Sequence, residues 1–309
     1  MKITVVIPTY NPNPKFFERT VQGLEKQTLD KKEWQLLIID NASTIPPDQK
    51  CLTYLENARV VRERNLGLTH ARLRAIKEVD TEFILWVDDD NILEPNYLAD
   101  ALEIFKTHPQ LGSIGGPAIP EYQEEPPEWF EPGLAPIGCR DLGNSMIMTG
   151  WDSENPTYPD FSPIGAGMVT RTEAIKEWAK AVPGDKSRLA LGRTGDALTS
   201  GEDNDINLVI LRNGWNVGYF PKLKLTHLIP PGRLTLEYQQ NIKRVSFRDY
   251  IRVLDIHGIR PWPAIPPWTV KLRKLKAYFK FKPRSSPGAS IRWHGTCGQF
   301  EGPAPPADT

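Results

Sequence analysis

Residues 83–91 read FILWVDDDN, five apolar or aromatic residues ending abruptly in three consecutive aspartates. Taking a carboxylate out of water beside a core strand is costly, and three in a row add mutual repulsion. A short apolar run with an abrupt polar stop has the length of a buried strand. The stretch therefore predicts a strand, inside a covered sheet, that delivers acids to its carboxyl end.

Working outward, strand-like and helix-like segments alternate. Residues 3–7 form a β-branched run closed by Pro8, and PTYNPNP follows as a loop. Phe17, Val21 and Leu24 then stand at helical spacing. WQLLIID is a second buried strand ending in Asp40, and residues 59–61 make a short third. Leu68, Ala71, Ala75, Ile76 and Val79 again have helical spacing, as do Leu98, Ala101, Leu102 and Phe105 beyond the aspartates. This order predicts an α/β fold with a mostly parallel central sheet flanked by helices. In such sheets ligands bind beyond the carboxyl ends of the strands. Pro8-Thr9-Tyr10-Asn11, Asp40 and Asp88-Asp89-Asp90 are expected to crowd that one edge.

After Gly112 the texture changes. SIGGPAIP predicts one more strand, whereas residues 121–163 are rich in proline, acid and tryptophan and lack periodicity, the mark of a functional loop or lid. IGAGMVTR predicts a strand whose glycines admit a close neighbour. AIKEWAKAV is a helix, and residues 186–200 are a polar, glycine-bearing, flexible segment. GEDNDINLVILRNGW opens a helix with acids in its first turn and Gly214 at its end. NVGYFP and LKLTHL are short strands; residues 236–254 are helical. RPWPAIPPW is a linker or stiff clamp, and residues 271–282 are basic with Leu272, Leu275, Tyr278 and Phe279 interleaved. IRWHGTCGQFEG is either a last helix or a tail, and the final GPAPPADT is expected to lack fixed structure.

The chain has 309 residues, 39% apolar and 25% charged, which suits one large domain with an appendage or two modest domains. Its three cysteines, Cys51, Cys139 and Cys297, have no paired spacing. That argues against a disulfide framework or a zinc site and for a reducing compartment. No apolar run approaches the roughly 20 residues that span a bilayer. MKITVVIP begins a strand at once, leaving no room for a signal peptide. The expectation is a cytoplasmic protein, either free or peripheral at the inner face of the membrane. Formal net charge is zero, yet residues 229–309 hold 14 Lys/Arg against 5 Asp/Glu and residues 1–228 hold 24 against 33. Such asymmetry marks either a basic surface for anions or a solvated tail.

The triple aspartate has its own chemistry. Magnesium and manganese take oxygen ligands, commonly one or two carboxylates plus substrate phosphates. Adjacent carboxylates at a strand end can hold such an ion while it neutralises a diphosphate. The bland alternatives are a helix cap through Asp90 or Asn91 and a calcium loop, and the latter lacks the alternating ligands and the glycine.

VVIPTYN, IIDNAS, RNLG, VDDDN, GAGM, SGEDND and TH follow one another in this order along the chain. The ordered set, from about residue 3 to 227, resembles the inverting family 2 glycosyltransferases of GT-A fold. The resemblance implies a catalytic domain over 1–228, with a nucleotide-sugar half at 1–91 and an acceptor half at 92–228. Residues 229–309 are then a basic, mainly helical extension. It implies that Pro8, Thr9, Tyr10, Asn11 and Asp40 hold the nucleotide, Tyr10 by a ring face and Asp40 as an acceptor. Asp40 as a plain turn residue with Asn41 and Ser43 is the alternative. Asn65 is expected to cap the following helix, Gly67 to allow close approach of the donor, and Arg72 to reach its phosphates or else to lie on a solvated face. Asp88 would lie near ribose and metal, Asp89 would bond the donor sugar, and Asp90 would ligate the metal; which of the three touches the ion stays open. His227 is a further ligand candidate or a structural histidine. Gly165, Ala166 and Gly167 would line the donor-sugar and acceptor pocket, or simply pack tightly. Asp203 would take the proton of the acceptor hydroxyl, and Glu202 would position the acceptor. Acids complementing the helix dipole are the plainer alternative.

The implied reaction moves a sugar from a nucleoside-diphosphate donor, UDP-linked by expectation, to an acceptor hydroxyl of a carbohydrate or glycoconjugate. The setting is polysaccharide or glycoconjugate synthesis, with a divalent cation, Mn or Mg, as cofactor. A sugar-phosphate nucleotidyltransferase would carry a glycine-rich basic loop after the first strand, and TYNPNP has no glycine. A silent nucleotide-sugar binder is the other alternative, set against the presence of both the aspartates and GED. No nucleic-acid module is present. Residues 271–282 could rest on an anionic membrane or pack on the catalytic domain with snorkelling lysines.

Overall fold

A computed structural model of the chain describes residues 1–302 apart from Tyr54 and Asp196. The expectation for GPAPPADT therefore lies, beyond Gly302, outside the described residues. β1 (Ile3–Thr9) is buried along its whole length. Its alternate side chains enter two different cores, because successive residues of a strand face opposite ways. Ile3, Val5 and Ile7 join Leu36 and Ile38 of β2 (Trp34–Asn41) and the Phe17, Val21 and Leu24 stripe of α1 (Pro14–Glu25). Val6 joins Leu37 and Ile39 on the other face. Asn13 starts α1 by accepting from the amides of Lys15 (3.0 Å) and Phe16 (3.4 Å), with Pro14 at the first helical position.

β3 (Ala58–Glu63), α2 (Leu68–Glu78) and β4 (Phe83–Trp86) follow, then β5 (Asn91–Leu93), α3 (Tyr97–Thr107), β6 (Leu111–Gly115), β7 (Ala118–Tyr122), β8 (Ile147–Thr149), β9 (Val169–Arg171), α4 (Thr172–Ala181), a single turn α5 (Lys186–Leu189), α6 (Glu202–Arg212), β10 (Asn216–Tyr219) and β11 (Leu225–Ile229). Eight strands form one sheet in the order β3-β2-β1-β4-β9-β6-β10-β8. β3, β2, β1 and β4 run parallel, whereas β9 is antiparallel to both β4 and β6. Leu98, Ala101 and Phe105 of α3 pack with α1 on one face; Ala71 and Ala75 of α2, Trp178 of α4 and Ile206 and Ile210 of α6 cover the other. The fold is thus α/β, a central sheet with helices on both faces, as the alternation implies.

Three local expectations need correction. SIGGPAIP is two strands, β6 and β7, in two different sheets, because Pro117 offers no N–H with which to continue a ladder. Only the end of IGAGMVTR is extended, since Gly167 takes a left-handed φ of 77°. β5 was not anticipated at all; it pairs antiparallel with β11 in a three-stranded sheet, β5-β11-β7.

The chain divides into two compact units. The first holds Met1–Glu121, Gly138–Gly195 and Glu202–Leu228. The second comprises the described parts of Tyr122–Ile137, Asp196–Gly201 and Ile229–Thr309, so two segments from within the sequence of the sheet group with the C-terminal helices. Those helices are α7 (Leu236–Ile256), α8 (Val270–Phe281) and α9 (Pro287–Glu301). The glycine-bearing IRWHGTCGQFEG is helix rather than tail. Its glycines face α7: a Cβ on Gly298 would stand 2.0 Å from the Arg244 carbonyl oxygen, so only glycine permits this approach. Ala135, Ile242 and Ile291 form a small core with Trp129, Leu134, Leu198 and Leu236 around them.

Candidate active site

β1, β2 and β4 run parallel in register, Thr9 opposite Asp40 and Val6 opposite Trp86, so their carboxyl ends share one edge as expected. Thr9 Oγ1 donates to Asp89 Oδ2, tying the first loop to the aspartate loop. Tyr10 is exposed there. Asn11 (φ 48°) accepts through Oδ1 from the amides of Thr44 (2.8 Å) and Ile45 (3.1 Å), which shapes the loop after β2. Asp40 is buried and accepts from the Ser43 amide (3.0 Å) and from Arg62 Nη1 (2.6 Å). It therefore pins its own turn, the plainer of its two readings, whatever else it contacts.

RNLG differs from expectation in detail. Asn65 does not cap α2. The N-cap is Gly67 (φ 137°), which has no side chain to accept. Asn41 instead grips this loop, accepting from the Gly67 amide (2.7 Å) and donating to the Asn65 carbonyl (2.7 Å). The first amide of α2, that of Leu68, donates to the Arg193 carbonyl (2.7 Å), so Gly67 lies close to residues 193–194 of its own chain.

Arg72 is not on a solvated face. It is 1% exposed, with its guanidinium 4.8 Å from the Trp86 ring centroid and Nη2 3.7 Å from Glu202 Oε1. A flat, weakly hydrated guanidinium tolerates this better than an ammonium would. Among the described residues its Nε and Nη1 have no hydrogen-bond partner. A buried charged donor without an acceptor is costly, so the geometry suits an anionic guest. A Cβ on Gly165 would stand 2.8 Å from Arg72 Nη2 and 3.8 Å from Asp203 Oδ2. Asp203 Oδ2 accepts from the Gly165 amide (2.9 Å) and Oδ1 from the Asn204 amide (2.8 Å). The pair of acids in the first turn of α6 thus divides: Glu202 is buried against Arg72, and Asp203 is half-buried with its carboxylate oriented by two amides. Gly167 packs closely, its amide donating to the Trp86 carbonyl (2.9 Å) and its own carbonyl accepting from the Tyr97 hydroxyl.

The aspartate loop turns through Asn91, whose Oδ1 accepts from the Asp88 amide (3.2 Å) and whose Nδ2 donates to Asp90 Oδ1 (3.1 Å). β5 and β11 set His227 opposite Asn91. His227 Nε2 lies 3.3 Å from Asp90 Oδ2, and Nδ1 lies 3.1 Å from the Gly138 carbonyl oxygen. Both neighbours accept, so a neutral ring that donates from Nδ1 to the carbonyl turns the Nε2 lone pair towards the carboxylate. That arrangement suits a cation between them or an added proton on the ring. A second group orienting the far nitrogen of a histidine is what metal-ligating histidines have. Burial first, and then the Asp90 carboxylate, push the Asp88 carboxyl above the usual carboxylate range, against the opposing pull of Arg72, His227 and Arg193. Among the described residues no three His, Cys, Asp or Glu side chains are already grouped as a metal site. Asp90 and His227 fit as two protein ligands that a diphosphate would complete.

Sequence reading missed Gly138 and Cys139, whose Sγ is 3.6 Å from His227 Nδ1, because nothing local marks them. It also missed Arg140, which donates to the Phe161 carbonyl (3.0 Å), lies 5.9 Å from the Tyr219 ring centroid and feels the charge of Asp203.

A glucosyl-dolichyl phosphate glucuronosyltransferase of Haloferax volcanii is 23% identical over 146 residues, covering 46% of this chain and 47% of the relative. The poly(ribitol-phosphate) β-N-acetylglucosaminyltransferase TarS of Staphylococcus aureus is 28% identical over 140 residues, 41% of this chain and 24% of its own. The chain thus spans less than half the length of either relative. The solved structure of TarS 1–349 in complex with UDP-GlcNAc superposes with a TM-score of 0.52 at 17% identity, over 97% of this chain and 90% of that one. The mannosyltransferase PcManGT of Pyrobaculum calidifontis, solved in complex with GDP-Man and Mn2+, gives 0.55 at 17% identity over 94% and 73%. These likenesses give the fold, which is GT-A. The family model described as glycosyl transferase family 2 matches residues 4–176, more than half of the chain, and the chain belongs to that family.

Proposed function

We propose that the chain transfers a sugar from a nucleoside-diphosphate donor to an acceptor hydroxyl in one displacement, with inversion at the anomeric carbon. The observation that carries this reading is a chain of proximities. The Arg72 charge acts on Asp88, Arg72 Nη2 lies 3.7 Å from Glu202, a Cβ on Gly165 would stand 2.8 Å from Arg72 Nη2, and the Gly165 amide donates to Asp203 (2.9 Å). These proximities support reading the acid edge of the sheet and the candidate base as one site. Residues 1–91 hold the donor, residues 92–228 present the acceptor, and residues 229–309 are an appended extension. In this reading Tyr10 offers its ring to the base, Pro8, Thr9, Asn11 and Asp40 shape the nucleotide loop, and Asn65 and Gly67 close its side. The unpartnered Arg72 N–H groups meet the diphosphate, and Asp89 bonds the sugar. Gly165, Ala166 and Gly167 leave room beside it.

Asp88, Asp90 and His227 would hold a divalent cation, Mn or Mg, which when bound would stabilise the charge on a departing diphosphate. Asp203 keeps its carboxylate aimed by two backbone amides and takes the proton of the attacking hydroxyl, while Glu202 holds Arg72 in place beside the acceptor. A UDP-sugar is the favoured donor, as UDP-GlcNAc is bound by TarS and GDP-Man by PcManGT, both diphosphate donors. The acceptor class is a carbohydrate or glycoconjugate, in a biosynthetic setting inside the cell.

The test is Asp203→Asn. Loss of a general base lowers turnover by about 10²–10⁴-fold. Calorimetry should show donor affinity unchanged. Near-normal transfer by this variant would falsify the assignment of the base.

A further inference from the structure

We infer that α8 and the turn before it form a docking face for an anionic lipid surface. The helix has two opposed faces. Ala277 is buried, the Tyr278 ring meets the Trp293 ring edge-on at 5.8 Å, and Trp293 Nε1 donates to the Lys274 carbonyl (3.3 Å). That side packs on α9. At about 100° per residue, Leu272, Leu275 and Phe279 stand on the other side, with Trp268 in the turn just before the helix. Trp268, Leu272, Leu275 and Phe279 are 83%, 67%, 53% and 69% exposed, an apolar stripe facing water. Scattered exposed apolar residues mean little, whereas three along one helix face, with an exposed tryptophan in the turn before it, are a contact surface.

Charge identifies the occupant. Residues 270–284 contain seven Lys or Arg and no Asp or Glu. Lys271 lies on one flank of the stripe and Lys276 and Lys280 on the other, all exposed. An apolar stripe between basic flanks, led by a tryptophan, is the pattern of a helix lying in a lipid interface, with lysines at the headgroups. A self-associating stripe would have to bring two such basic borders together. No helix among the described residues is long and apolar enough to cross a membrane, so the contact is lateral. The sequence left two readings of residues 271–282, packing on the catalytic domain or rest on an anionic membrane; the Tyr278 side packs instead on α9 of the C-terminal unit, and the stripe carries the lipid reading. The inference does not depend on the transfer reading, because binding is measured without turnover.

The full chain should co-sediment with vesicles containing phosphatidylglycerol and not with pure phosphatidylcholine vesicles. The variant Leu272→Ser/Leu275→Ser/Phe279→Ser should bind about tenfold or more weakly with unchanged circular dichroism. Since the stripe faces water, these changes leave the fold intact; Trp268→Ser alone and Lys271→Glu/Lys276→Glu/Lys280→Glu give two independent readings in the same direction. Three results would overturn the proposal. One is failure of the wild-type chain to bind anionic vesicles. Another is equal binding by the serine variant, which would leave only non-specific charge attraction. The third is a dimer in light scattering that the serine variant dissociates, which would make the stripe a self-interface.

Discussion

Arg72 is a buried cation within the candidate site. It is buried on the Trp86 ring and faces Glu202, which is itself buried. Removing one member of a buried ion pair leaves the other charge uncompensated, at a cost of about 3–5 kcal/mol. Arg72→Met should therefore lower the unfolding free energy by about 3 kcal/mol or more, and adding Glu202→Gln should restore part of that loss. Urea denaturation of the two single variants and the double variant checks this; strictly additive losses would rule out the pairing. Asp88 acts in the opposite sense. Its native pKa is raised, by burial first and then by Asp90, so the fold disfavours its ionised form. The destabilisation is complete above the native value and disappears as pH falls through it towards the ordinary carboxylate range. Asp88→Asn should accordingly raise the melting temperature at neutral pH, and the difference should vanish on acidification. A variant less stable than the parent at neutral pH would contradict this account. Arg72 looked like a candidate for a solvated face because a cation at one helical position carries no mark of burial; its enclosure comes from Trp86, fourteen positions on, and from Glu202, far along the chain.

At the scale of elements, the site is a junction of strand ends and one helix start. The turn before β9 crosses from the Trp86 carbonyl, bonded by Gly167, to Asp203, bonded by Gly165. The absent side chain leaves room for the Arg72 guanidinium beside this turn. A methyl in Gly165→Ala would stand 2.8 Å from Nη2, so the guanidinium or the turn must shift. Misplacement on this scale lowers turnover by about tenfold to a hundredfold. Steady-state kinetics on Gly165→Ala should show that fall mainly in kcat, and a variant with unaltered kcat would mean the contact has no part in catalysis. The pairing of β5 with β11 is the other deciding element, because it sets His227 against Asp90. Asn91–Leu93 is three residues long, too short for any alternation to show, and so this strand was illegible. The longer parallel strands were legible because four to seven consecutive buried residues leave an unmistakable run.

At the scale of the molecule, ligands of the native state raise its stability by mass action, about 2.7 kcal/mol at a hundredfold excess over Kd. A nucleoside diphosphate with manganese should raise the melting temperature by several degrees, more than either alone. A thermal-shift series over nucleoside diphosphates checks this, and no shift with any of them would oppose the donor reading. The order of strands and helices, the shared edge of β1, β2 and β4 and the position of the acids on it follow from local periodicity. That information lies between residues close in the chain, because burial on one face repeats every two residues in a strand and every three or four in a helix. Which acid meets which cation does not. Asp40 with Arg62, Glu202 with Arg72 and Asp90 with His227 are contacts across 22, 130 and 137 positions, settled only when the sheet has closed and the helices lie on it. The grouping of residues 122–137 with the C-terminal helices is of the same kind. Charge pairing, desolvation and the room left by a glycine depend on distances of a few ångströms, and tertiary packing alone sets those distances.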